Sequence, residues 1–198
     1  MAPDMSASPQ HRTAAVNPFL PSWEYIPDGE PHVFGDRLYL YGSHDRFGGR
    51  RYCENDYVVW SALLTDLSDW RLDSQSYVRT QDPDNRNSRL RLYAPDVARG
   101  PDGRFYLYYC LMEHPKVSVA VAESPAGPFE FLGHVHDPSG ALLGRRPDAS
   151  QPFDPAVLVD DGRLWLYVRN GPINRRVGRR RRKASTVMEL ESDMVTLR

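Results

Sequence analysis

The stretch DPAVLVDDGRLWLY, Asp154 to Tyr167, opens on an acid, runs through apolar residues to an Asp-Gly turn and leaves it through an aromatic strand. Asp-Gly between apolar runs reads as a β-hairpin, because both residues tolerate the positive φ of tight hairpin turns. The same design stands twice upstream, as DGEPHVFGDRLYLY from Asp28 to Tyr41 and as DVARGPDGRFYLYY from Asp96 to Tyr109. In all three, a Tyr follows the opening Asp by 13 residues, and an Arg stands just past the turn at Arg37, Arg104 and Arg163. Three features recurring in register mark an internal repeat.

The repeat openings lie 68 and 58 residues apart, longer than the roughly 40 to 50 residues of common propeller repeats but with room for four short strands each. A second apolar stretch follows each hairpin, at Tyr57–Leu67, Val117–Val135 and Ala184–Leu197. Two strands plus two strands make a propeller blade. The chain is therefore expected to be all-β, a β-propeller of about three blades.

The rest of the chain fits a folded protein. Its 198 residues are 40% hydrophobic and 11% aromatic, enough to bury a core. Cys53 and Cys110 are the only cysteines and form no CxxC pair, so neither a zinc site nor a disulfide framework is signalled. The opening MAPDMSASPQHRTAAV lacks a secretory signal's basic start and apolar run, and no stretch approaches the roughly 18 apolar residues of a membrane span. The expected location is cytoplasmic, with no membrane partner. Residues 1–16 read as a flexible leader, and residues 17–198 as the propeller domain.

Net charge is −1, yet Arg175, Arg176, Arg179 to Arg182 and Lys183 crowd together. Such a run suits a nucleic-acid patch or a sorting signal, or a solvated hairpin loop between two strands. Only two of the 25 basic residues are Lys, so Arg is the habitual cation here. We read a loop and expect no nucleic-acid partner. Asp82, Asp84 and Asn85 superficially suggest a calcium loop, but Arg86 stands at the fifth position, where an acidic or amide residue is needed, and no Gly follows.

In a propeller the innermost strands face one axis, so Asp28, Asp96 and Asp154 are expected to meet at one mouth of the channel. Like charges held together shift one another's pKa values, which separates an ionised base from the group that tunes it. Aromatics flank the openings: Trp23 and Tyr25, Tyr93, and Phe153. Acids among aromatics suit a sugar, whose C–H faces stack on rings while its hydroxyls bond carboxylates; the alternative is that the acids cap turns and the rings pack. His44 and Asp45 either project toward the mouth or end their strand. An oxygen-rich centre also suits a hard cation such as calcium near the axis, with no ligand identified; no other cofactor is expected.

Three segments carry a resemblance: NPFLPSWEYIPDGEPHVFGDRLYLYGSHD from Asn17, YAPDVARGPDGRFYLYY from Tyr93, and FDPAVLVDDGRLWLYV from Phe153. They resemble the family 43 glycoside hydrolases, five-bladed propellers acting on arabinose- and xylose-containing glycans. The resemblance implies three blades of an expected five, a carbohydrate substrate and an inverting mechanism. It implies Asp28 as general base and Asp154 as modulator of the general acid's pKa. Asp96, Tyr93 and Phe153, with His44 and Asp45, are expected to bind substrate. Tyr93 stands where the family usually has Trp, and Gly29 where many members have Pro.

The third role, a Glu general acid, belongs at the opening of a fourth blade, at about residue 217 if the repeat continues. Glu189 and Glu191 lie outside the family's Glu-Gly-Pro or Glu-Ala-Pro context. The expectation is thus an N-terminal portion of a glycosidase, inactive alone and prone to self-association through uncovered faces. The alternative is a non-catalytic carbohydrate-binding or scaffold propeller. A related fructan-acting fold fits less well, because it uses Arg-Asp-Pro where this chain has Phe153-Asp154-Pro155.

Overall fold

The computed structural model describes residues 17–112, 114–144, 152–170 and 185–198. Three antiparallel meanders follow one another in the chain. The first blade is β1 (Glu30–Phe34), β2 (Arg37–Tyr41), β3 (Tyr57–Leu63) and β4 (Asp66–Tyr77). The second is β5 (Leu92–Arg99), β6 (Phe105–Leu111), β7 (Ser118–Ala122) and β8 (Glu130–His134); the third has β9 (Pro152–Asp160), β10 (Arg163–Asn170) and β11 (Ser185–Leu190). The stretch Ala184–Leu197, expected to add two strands to the third blade, supplies one, β11, which ends at Leu190 before the chain turns. Val195 and Thr196 then run beside His136 of the second blade. The leader and the basic run lie outside the described residues.

Burial explains the composition of each strand. Side chains alternate across a strand, and the second blade has a neighbour on both faces. Phe105, Leu107, Tyr109 and Leu111 of β6 join the core shared with the first blade, while Tyr106, Tyr108 and Cys110 join the core shared with the third. All seven residues of β6 are buried. The outward faces of the first and third blades carry exposed apolar residues, Val33 and Leu72 on one, Leu158, Tyr167 and Val187 on the other. The Arg after each turn is used locally: Arg37 donates to Ser61, Arg104 to Asp102, and Arg163 to Glu189.

Pairing corrects the register of the repeat. The hairpins of the first and third blades close through two residues, since Phe34 pairs with Arg37 and Asp160 with Arg163. In the second blade Arg99 pairs with Phe105, which leaves a five-residue loop. The longer loop takes up part of the 13-residue spacing, so Asp96 sits two positions further along its strand than Asp28 or Asp154. The structural counterpart of those acids is Ala94. All three have left-handed backbones, with φ of 55° at Asp28, 34° at Ala94 and 46° at Asp154.

A bulge follows in both β5, between Tyr93 and Asp96, and β9, opposite Tyr167 to Arg169. Its second residue is Pro95 or Pro155, which has no N–H to lose from the ladder. The tyrosines obey the corrected register. Tyr41 donates its hydroxyl to Pro125 O in the second blade, and Tyr108 donates to Met194 O beside the third, both at 2.7 Å. Tyr167 is their counterpart and lies 40% exposed on the open side of the third blade.

Asp96 joins the three innermost strands. It is 3% exposed. Its Oδ1 accepts from the His32 ring of β1 at 2.6 Å and from Val97 N at 2.8 Å, and its Oδ2 accepts from Val157 N of β9 at 2.6 Å. Removing a buried acceptor costs about 1–3 kcal/mol per donor stranded. Asp96→Ala, which strands two backbone N–H groups, is expected to lower the unfolding free energy by about 3 kcal/mol. Urea denaturation checks this, and a loss well below 1 kcal/mol would contradict the tie.

Candidate active site

The bulges build the mouth. A left-handed residue turns the chain sharply at the top of each inner strand, and in the first and third blades the residue so placed is an acid. Asp28 is exposed and Asp154 half-buried. Each faces the strand beside it: Ser43 Oγ donates to Asp28 Oδ2 at 3.2 Å, and the Arg169 guanidinium pairs with Asp154 Oδ2. Desolvation by burial is the main cause raising Asp154 above the usual carboxylate range, with the Asp28 charge adding to it and Arg169 opposing it. Two of the three expected acids therefore do share one mouth, close enough to feel one another.

Asp96 does not line it. The expectation that it binds sugar is corrected by its burial and by its two oxygens, both occupied by protein donors. His44 and Asp45 are likewise engaged within the first blade. The His44 ring bonds Asp56 O at 2.7 Å and Glu24 Oε1 at 2.9 Å, and Asp45 Oδ1 accepts from Cys53 N at 2.6 Å. Glu24 also accepts from the Trp60 indole at 2.9 Å. These residues clamp the loop between β2 and β3.

The aromatic expectation places differently. Tyr93 and Phe153 occupy matching positions before the two bulges and meet edge to face with ring centroids 5.7 Å apart. Arg169 lies over the Phe153 ring at 5.3 Å and Arg91 over Tyr93 at 6.0 Å. Both rings are half-buried.

Two residues of this region had no sequence signal of their own. Arg169 follows the third aromatic strand and is recognisable only once β9 and β10 are in register. Glu30, at the start of β1, is held above the ordinary carboxylate range, first by partial burial and then by the Asp96 and Asp28 charges, against relief from His32. Below the mouth, an open cavity of about 590 Å³ runs between the inner strands, lined by His32, Phe34, Val97 and Val157 among others.

Among the described residues, the side chains grouped as for a metal ion are Asp82, Asp84 and His134, on the rim of the second blade rather than the axis. The Lys116 ammonium already sits against Asp84, and Asp82 accepts from Tyr109 and Ser118. Within the cluster a cation pairs with Asp84 and neutral hydroxyls hold Asp82, which anchors the link between the first two blades.

The profile of the glycosyl hydrolases family 43 matches residues 17–198. The chain belongs to this family. Over 186 residues it is 51% identical to a xylosidase/arabinosidase of Thermoclostridium stercorarium, covering 94% of this chain and 38% of that protein. It is 33% identical to xylosidase/arabinosidase 43A of Humicola insolens, covering 72% of this chain and 43% of the relative. Among solved structures it superposes on the GH43_1 enzyme from Xanthomonas citri complexed with xylotriose, with a TM-score of 0.67, 25% identity, and coverage of 95% of this chain and 57% of that one. The chain thus spans less than half the length of the two curated relatives, and its three sheets are propeller blades.

Among the described residues, Arg169 is the cation that lowers the pKa of Asp154, by charge and by hydrogen bond. Arg169→Met is expected to raise the pH at which the Asp154 carboxyl titrates, followed by carbon NMR of the labelled side chain. An unmoved midpoint would mean that the ion pair does not govern this acid.

Proposed function

We propose that the protein containing this chain hydrolyses arabinose- or xylose-containing glycans with inversion at the anomeric carbon. The observation that carries the reading is the pairing of Asp28 and Asp154 at one mouth beside the Tyr93–Phe153 rings. Names of the relatives, xylosidase/arabinosidase, support the choice of sugars.

In this reading Asp28, the more exposed acid, takes a proton from water as the water attacks the anomeric carbon. Asp154, already shielded and sensitive to neighbouring charge, sets the electrostatic field felt by the general acid and accepts a sugar hydroxyl. Tyr93 and Phe153 stack on the sugar. Inverting glycosidases hold base and acid about 6.5–9.5 Å apart, with the sugar and water between. Glu30 follows Asp28 by two residues, at the start of β1, so it stands on the base's side of that gap. Glu189 is held below the usual range by its hydrogen bonds from Arg163 first and Arg198 next, the wrong direction for a proton donor. The general acid is accordingly assigned to residues other than these, and these 198 residues alone are proposed to be inactive.

The test is hydrolysis of aryl α-L-arabinofuranosides and aryl β-D-xylosides by the complete polypeptide that the gene encodes, with product stereochemistry followed by proton NMR. Asp28→Asn is expected to lower kcat by about 10²–10⁴, the usual worth of one acid–base group. Absence of hydrolysis by the wild type would overturn the glycosidase reading, and retained sugar binding in that case would favour a carbohydrate-binding propeller.

A further inference from the structure

Among the described residues, seven other than Gly have a left-handed backbone, and two of them, Asp28 and Ala94, meet at one side chain. That side chain is Ser43, with no exposed surface, at the end of β2. Its Oγ accepts from Ala94 N at 2.8 Å and lies 3.2 Å from Asp28 Oδ2. The Cys53 thiol, which burial pushes up to about 11, lies beside it.

The direction of these bonds is fixed by inventory. A hydroxyl has one proton and two lone pairs. The Ala94 amide can only donate. An ionised Asp28 can only accept. The Ser43 proton therefore goes to Asp28.

We propose that Ser43 is the positioning residue for the Asp28 carboxylate, fixing the direction in which its free oxygen faces attacking water. This rests on the reading of Asp28 as general base and adds to it a route of support: the bulge at Ala94 in the second blade holds Ser43, and Ser43 holds the base in the first. The left-handed backbones at Asp28 and Ala94 are conformations that persist only where surroundings over-determine them. Ser43 is the atom-level constraint they have in common. The pairing also explains a difference between the acids, because the position opposite Asp154 carries Arg169 instead. One acid is oriented by a neutral donor, and the other is neutralised by a cation.

The test uses the complete polypeptide with aryl glycosides and added azide, a nucleophile that needs no deprotonation. Azide attacks the anomeric carbon as the C–O bond to the aryl group breaks, and the phenolate leaves with the bonding pair to give a glycosyl azide. Ser43→Ala is expected to lower kcat by roughly 10- to 100-fold, the scale of a misplaced group, with KM within about twofold. Azide should restore turnover as it does in Asp28→Ala, and Ser43→Thr, which returns the hydroxyl, should recover most of kcat. If Ser43→Ala does not fold, Ser43→Cys under a thiol reductant weakens the donation with little change of volume and carries the same test. An unchanged kcat in a folded Ser43 variant overturns the inference, as does a loss that azide leaves in place while it rescues Asp28→Ala. Full hydrolysis by Asp28→Ala overturns the base reading itself, a distinct outcome.

Discussion

One buried carboxylate, Asp96, holds the inner strands of all three blades in a fixed relation. A propeller has no continuous sheet across its blades; neighbours meet through side chains, and their angle is free to vary unless something directional fixes it. Hydrophobic contact between Tyr41, Phe105 and Tyr109 on one side, and Tyr108, Val157 and Leu166 on the other, supplies attraction without direction. Asp96 adds direction by accepting from β1, from its own strand and from β9. A charged acceptor in a dry site makes bonds stronger than neutral ones and leaves stranded donors if it shifts.

The mouth depends on that frame. Asp28 and Asp154 sit on different blades, so their mutual repulsion, which contributes to raising Asp154, exists only because the blades are held at a set angle. Burial is the larger influence on Asp154, and the packing of Phe153 against Tyr93 supplies part of the cover. Strain, packing and charge thus meet at the same few residues: a left-handed turn aims each acid, an aromatic pair shelters one of them, and Ser43 and Arg169 give the two acids different surroundings. Chemically similar groups become distinct through their neighbours.

The fold was legible because blades are local. Each hairpin announces itself through Gly-Asp or Asp-Gly and alternating apolar residues, and each meander closes on strands adjacent in sequence, so no long-range pairing had to be inferred. Recurrence of the motif at Asp28, Asp96 and Asp154 also located the inner strands. It misled in one respect. Spacing counted along the chain treats hairpin loops as equal, and the five-residue loop between Arg99 and Phe105 broke that equality. Asp96 consequently read as a third mouth acid when its strand position is buried and belongs to the frame. His44 and Asp45 were ambiguous for a related reason: a polar pair at a strand end looks the same whether it faces a ligand or its own loop, and only Glu24, Asp56 and the Cys53 amide decide between them.

What the amino-acid sequence determined by itself is the all-β architecture, the three blade openings, and the placing of Tyr93, Phe153, Asp28 and Asp154 at those openings, because turn chemistry and alternation are properties of neighbouring residues. Only the tertiary structure decided that Ala94 is the counterpart of those acids, that Asp96 holds the blades together, and that Ser43 and Arg169 face the two mouth acids. Those facts follow from bulges, loop lengths and contacts between strands tens of residues apart, which a linear pattern does not encode.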